Sequence, residues 1–156
     1  MFVKDWMTAS PISVDSKDSL MHARALMKRH TLRHLPVLSA GRVTGVISDR
    51  DLRDYTPSFC TALDVYEMHY MIAKLTVDDA MTAHPVTVSP ELPIAAAGEL
   101  MLKKKIGCLP VESGGMLVGI LTESDLIRAL VSSEQRQSAP PDRPVPSVDK
   151  AVDVEC

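Results

Sequence analysis

VKDWMTASPISV at residues 3–14 and VDDAMTAHPVTV at residues 77–88 are two versions of one segment. Further along, HLPVLSAGRVTGVISDRDL at residues 34–52 aligns without a gap to CLPVESGGMLVGILTESDL at residues 108–126. Met7 and Met81, Pro36 and Pro110, and Asp51 and Asp125 all stand 74 positions apart. A coincidence of composition does not hold register over so long a span. The chain is an internal duplication, each copy one supersecondary unit that needs the other to bury its apolar side.

Each copy carries the same order of elements. A proline, Pro11 or Pro85, biases its neighbours away from helix and introduces an extended segment at 12–14 or 86–88. A helix is predicted over 19–30, where Leu20, Ala23, Leu26 and Met27 share one face. Another is predicted over 93–104, where Ile94, Ala97, Leu100 and Met101 repeat the pattern. Pro93 is tolerated there because first-turn N–H groups have no acceptor inside the helix. Two strands follow as a hairpin, LPVLSAGRVTGVIS and LPVESGGMLVGILT, with Gly41, Gly114 and Gly115 supplying the positive φ of the turns. A second helix begins at Asp49 and at Glu123. The predicted fold is therefore α+β: two β-α-β-β-α repeats packed pseudo-symmetrically into one module. Residues 1–55 form the first repeat and 77–131 the second. Residues 56–76 read as a connecting helix, with capping-box spacing at Asp64 and Glu67 and an apolar stripe of Val65, Met68, Met71, Ile72 and Leu75. Residues 132–156 are rich in Pro, Ser and charge, which predicts a disordered or loosely attached tail.

Composition narrows the function. Hydrophobic residues make up 46% of the chain and aromatics 4%, so the core is aliphatic. Met21, Met27, Met68, Met71, Met81 and Met101 fall largely at helical spacing, which suits core or dimer packing. A net charge of −3 with mixed signs opposes a nucleic-acid role. No apolar run reaches the roughly 18 residues of a membrane span, and the N-terminus lacks a secretory apolar stretch; a cytoplasmic protein is expected. Cys60, Cys108 and Cys156 form no CxxC pair, so neither a disulfide framework nor a zinc site is predicted. His30 and His34 are four apart, but the helix ends between them, which removes the common face a metal pair needs. The chain has no Ser-His-Asp order, paired catalytic carboxylates, P-loop or dinucleotide fingerprint, so no enzyme and no catalytic cofactor are expected.

In order, MTxxPxxV, an amphipathic helix, (H/C)LPV, and GVISDRDL or GILTESDL resemble the cystathionine-beta-synthase (CBS) domain, which normally occurs in pairs. The likeness covers about residues 1–131. FVKDWMT, AKLTVDDAMT and the overall spacing are further similar to bacterial acetoin-utilisation B-type CBS proteins, here without their ACT-like domain. The resemblance implies a regulatory module, a homodimer, and an adenosine-type ligand (AMP, ADP, ATP or S-adenosylmethionine) in clefts between the repeats. It also implies a regulated protein attached or nearby. The competing reading is a structural or oligomerisation module with degenerate clefts, acting through protein–protein contacts.

The Gly-h-h-(Ser/Thr)-x-x-Asp run is the informative motif. An ionised Asp offers two oxygens to a ribose diol, and a helix N-terminus favours a nearby phosphate. The competing explanation is helix capping, in which Ser or Thr followed by Asp is ordinary grammar. The resemblance implies that cleft one joins Ser48 and Asp51 to Pro85, Val86 and Ile106. Cleft two would join Thr122 and Asp125 to Ile12, Leu32, Arg33 and His34. Arg33 and His34 suggest that cleft two prefers a phosphorylated adenosine. Cleft one would use Arg50 for phosphate, take a less charged ligand, or stay empty.

Overall fold

The computed structural model describes residues 1–55 and 64–137. After a single 3-10 turn at Val3–Asp5, the first half contains β1 (Thr8–Ala9), β2 (Val14–Asp15), α1 (Leu20–His30), β3 (His34–Ser39), β4 (Arg42–Ser48) and α2 (Asp49–Asp54). The connector contributes α3 (Val65–Lys74). The second half contains α4 (Val77–Ala80), β5 (Thr82–Ala83), α5 (Ile94–Lys104), β6 (Cys108–Ser113), β7 (Met116–Thr122) and α6 (Glu123–Gln137).

Helix α1 shows how local sequence sets these elements. Ser19 caps it by accepting the His22 N–H at 3.1 Å. Its apolar face buries Leu20, Ala23 and Met27, while Lys28, Arg29 and His30 complement the dipole in the last turn. It stops at Thr31, which turns left-handed at φ 53°. The second copy ends α5 the same way at Lys105, φ 55°. In the hairpin turns Gly41 and Gly115 take φ 77°, as expected, and Ala40 precedes Gly41 at φ 49°.

The sheets exchange strands between the copies. One sheet has the order β2-β3-β4-β5 and the other β1-β7-β6, so the MT segment of each repeat pairs with the hairpin of the opposite one. Thr8 lies opposite Ile120 and Thr82 opposite Val46, both antiparallel. This crossing explains the glycine of the Gly-h-h-(Ser/Thr) run. A Cβ on Gly45 would lie 3.0 Å from the Thr82 carbonyl oxygen, and one on Gly119 3.1 Å from that of Thr8. The neighbouring Met81 and Met7 thioethers fill the space a methyl group would need.

The exchange extends to the cores. Val3, fully buried, packs with Val88, Ile94, Ala97, Met101, Leu109, Val111 and Leu121 of the second half. Val77, also fully buried, packs with Val14, Leu20, Ala23, Met27, Leu35, Val37 and Ile47 of the first. Backbone bonds repeat the pattern: the Val3 N–H donates to the Leu92 carbonyl at 2.9 Å, and the Val77 N–H to that of Asp18 at 2.8 Å. Between the sheets, Val46, Ile120 and Cys108 form a small central cluster.

Three expectations need amendment. Helix α6 continues to Gln137, so residues 132–137 of the expected tail are helical; residues 138–156 lie outside the described residues. Asp64 stands at the N-cap of α3 without a side-chain cap bond; only its carbonyl engages, accepting the Met68 N–H at 3.0 Å. No residue of α3 is fully buried: Val65 and Met71 face solvent, and the helix reaches the first half through Ile72 and Leu75. Of the other methionines, Met27 and Met101 are buried as expected, whereas Met21 is exposed.

Candidate functional site

Both motifs sit where a hairpin strand runs into a helix. In the first, β4 delivers Ser48 to the N-cap of α2. The Asp51 N–H donates to Ser48 Oγ at 3.1 Å, and the Ser48 N–H donates to Asp51 Oδ2 at 2.8 Å. This is a reciprocal capping box. It consumes one carboxylate oxygen; Asp51 Oδ1 has no hydrogen-bonding partner among the described residues, and the residue is only half-buried. Arg50 beside it is exposed, and Arg53 pairs with Asp49 at 3.3 Å. Helix α2 spans just six residues. Little macrodipole can build over so short a segment, so the carboxylate is the chemistry this motif presents.

The second motif has the same backbone and a different electrostatic state. Thr122 donates both its N–H, at 2.7 Å, and its hydroxyl, at 2.8 Å, to Asp125 Oδ2. Arg128, one turn on, donates its guanidinium to Asp125 Oδ1. Asp125 is 2% exposed, one of two buried polar or charged residues among those described. Repeat alignment places Asp54 opposite Arg128, so the first motif has no counterpart to this ion pair.

The opposite-half residues divide as follows. Val86 and Ile106 are partly buried against the second core, and Pro85, which precedes Val86, is half-buried. The Asp51 charge reaches the neighbouring Cys108, which ties the first motif to the start of β6. Ile12 packs against the first core. Leu32, which also packs against the first core, and Arg33 line a groove of about 670 Å³ with Arg24, Lys28, Asp49 and Arg53; among the described residues none from the second half lines it. His34 sits at the seam between the halves. Its ring lies against Gly107, where a Cβ would approach Nε2 to 3.3 Å, and beside Glu123. The acidic groups acting on His34 are Asp49, Glu123 and Asp51, and Asp125 is not among them. His34 thus lies beside Glu123 of the second motif, while Arg33 lines the first-half groove.

The seam is dry enough to perturb its titratable groups. Burial, with the nearby charges of Asp51 and Glu123, pushes the Cys108 thiol up to about 12, leaving it protonated and inert near neutrality. Burial also lowers the His34 pKa, outweighing the attraction of Asp49, Glu123 and Asp51. The unfolded chain then binds the extra proton, so the His34 contribution to stability is intact above about pH 6.5 and declines as the pH falls through the folded pKa. His34→Gln is expected to flatten that acid-side loss, measured as urea midpoints across weakly acidic to neutral pH. An unchanged slope would mean that His34 does not carry it.

Sequence reasoning passed over Arg128 and Glu123. The signal for Arg128 was present: within an otherwise matched motif, a cation replaces an acid one turn after the aspartate. Among the described residues no three His, Cys, Asp or Glu side chains converge as a metal site. No helix among them is long and apolar enough to cross a membrane.

Comparison with known proteins returns one family. The CBS domain model matches residues 3–58 and 77–132. An inosine-5'-monophosphate dehydrogenase of Korarchaeum cryptofilum is 34% identical over 125 residues, covering 80% of this chain and 22% of that enzyme. The chain thus spans about a fifth of that relative's length. Vibrio cholerae AcuB, a protein assigned to acetoin utilization, superposes with a TM-score of 0.73 and 29% identity over 90% of this chain and 98% of that one. CBSX2, a CBS-pair protein of Arabidopsis thaliana solved in complex with AMP, gives 0.69 and 31% over 85% and 98%. The CBS domain pair of MJ0100, solved with 5'-methylthioadenosine and S-adenosyl-L-methionine, gives 0.70 and 25% over 85% and 98%.

Proposed function

Since this chain belongs to the CBS domain family, as a tandem pair, we propose that it is a non-catalytic regulatory module that binds an adenosine-type ligand between its repeats. The observation that carries the reading is Asp51: a half-buried carboxylate, fixed by Ser48, with one oxygen left without a partner among the described residues and its charge felt at Cys108 of the opposite half. A ribose diol presents two hydroxyl donors to such an acceptor. AMP, bound by CBSX2, and methylthioadenosine and S-adenosylmethionine, bound by the MJ0100 pair, have the adenosine moiety in common. Pro85, Val86 and Ile106 would flank the base, and the exposed Arg50 would meet a phosphate. This reading favours cleft one over cleft two, the reverse of the order expected from Arg33 and His34.

Calorimetric titration of nucleotide-free protein with AMP, ADP, ATP and S-adenosylmethionine tests it. Saturable binding of at least one, competed by adenosine, is the expected result. No heat from any of them, in folded protein, would leave the assembly module as the better reading.

Regulation by such a module requires that the ligand bind two states unequally and that a partner protein distinguish them. We infer further that the working unit is a homodimer in the cytoplasm. Ile127, Leu130 and Val131 form an exposed apolar stripe along α6, between half and two-thirds accessible each. Ile127→Glu with Leu130→Glu is expected to yield monomer in light scattering at concentrations where the parent is dimeric. A parent that is already monomeric would refute the dimer.

A further inference from the structure

The duplicated motifs differ at one position that decides whether the carboxylate can accept a ligand. Asp125 Oδ2 takes two hydrogen bonds from Thr122, Oδ1 takes the Arg128 guanidinium, and the side chain is 3% exposed. A carboxylate so engaged has no accessible lone pair for a diol. A neutral hydroxyl would have to displace an ion pair in which both partners are charged. Asp51 spends a single oxygen on the Ser48 N–H, and among the described residues nothing takes the place of the Arg128 guanidinium at its Oδ1. One turn on, where the second motif has Arg128, the first has Asp54, which repels Asp51 and has no proton to donate when ionised.

We propose that Arg128 is a built-in occupant of the second motif: it takes the Asp125 carboxylate out of service, so that the chain binds one adenosine ligand, at Asp51, where its symmetry would allow two. The proposal rests on the adenosine-binding reading above and adds the stoichiometry and the residue that sets it. The Arg128 side chain is 65% exposed although its partner is buried. The cation therefore covers the carboxylate from the solvent side, and its removal opens a path to Asp125 without disturbing the core beneath. Since the two motifs share one backbone design, the device is transferable by exchanging positions 54 and 128.

The experiment is calorimetric stoichiometry with AMP on the full chain, with circular dichroism on each variant. The parent is expected to bind one AMP per chain, and Arg128→Ala two. Asp54→Arg is expected to lock the first motif, weakening AMP binding on the order of a hundredfold, the scale set by losing hydrogen bonds to a charged group. The double variant should again bind one AMP, now sensitive to Asp125→Asn and indifferent to Asp51→Asn. Two sites in the parent, a single site retained by folded Arg128→Ala, or undiminished affinity in Asp54→Arg would each overturn the proposal while leaving adenosine binding intact. Should Arg128→Ala not fold, Asp54→Arg decides alone, since residue 54 is exposed. No AMP binding by the parent or any variant would remove the adenosine-binding reading itself, and this proposal with it.

Discussion

Asp51→Asn is expected to weaken adenosine-ligand binding by about a hundredfold to ten-thousandfold without unfolding the protein. The two halves of that expectation come from different oxygens. Asp51 Oδ2 accepts the Ser48 N–H, and an asparagine carbonyl can do the same, so the cap on α2 survives. The unengaged Oδ1 becomes an NH2 group, which presents donors to a diol whose hydroxyls are themselves the donors. Two hydrogen bonds to a charged group are worth about 1.5–3 kcal/mol each, which sets the scale of the loss. Isothermal titration beside a far-ultraviolet spectrum reads both halves at once. Unchanged affinity in folded Asp51→Asn would move the ligand away from the first motif and remove the reason to rank cleft one above cleft two.

Val77→Asp is expected to destabilise the protein by more than about 4 kcal/mol, because a carboxylate would be buried among aliphatic side chains with no partner. Val77 has no solvent exposure and contacts the first-half core around Leu35, Val37 and Ile47. The milder Val77→Ala, at about 2 kcal/mol for the methyl groups removed and the cavity left, keeps enough stability to locate the damage. Amide protection is expected to fall in α1 and β3 of the first half, although residue 77 belongs to the second copy of the repeat. Loss confined to α5 and β6 would show that the cores are not exchanged between copies.

The strand exchange shows how far local pattern reaches. Duplication, element order and helix faces were all legible, because each depends on residues close in sequence: Ala23 and Met27 share a face by helical geometry alone, as do Ala97 and Met101. Pairing partners were not. MTASP reads identically whether it joins its own hairpin or the other copy's, because both hairpins carry the matched glycine, Gly45 and Gly119, that makes room for the methionine. The connector shows the opposite failure. Its apolar stripe was real as a pattern, yet Val65 and Met71 remain in solvent, because periodicity says which residues share a side and not whether anything covers that side.

The sequence by itself determined that this is a tandem pair with two Ser/Thr-x-x-Asp motifs, since duplication and spacing are properties of the chain. Only the tertiary structure decided what those motifs can do. Asp51 and Asp125 are indistinguishable as letters in matched positions. Their difference lies in which hydrogens reach each oxygen: Ser48 leaves one lone-pair set open, whereas Thr122 and Arg128 together fill both. Hydrogen-bond capacity is finite and directional, so a carboxylate's availability is settled by side-chain geometry and burial, which no spacing along the chain records.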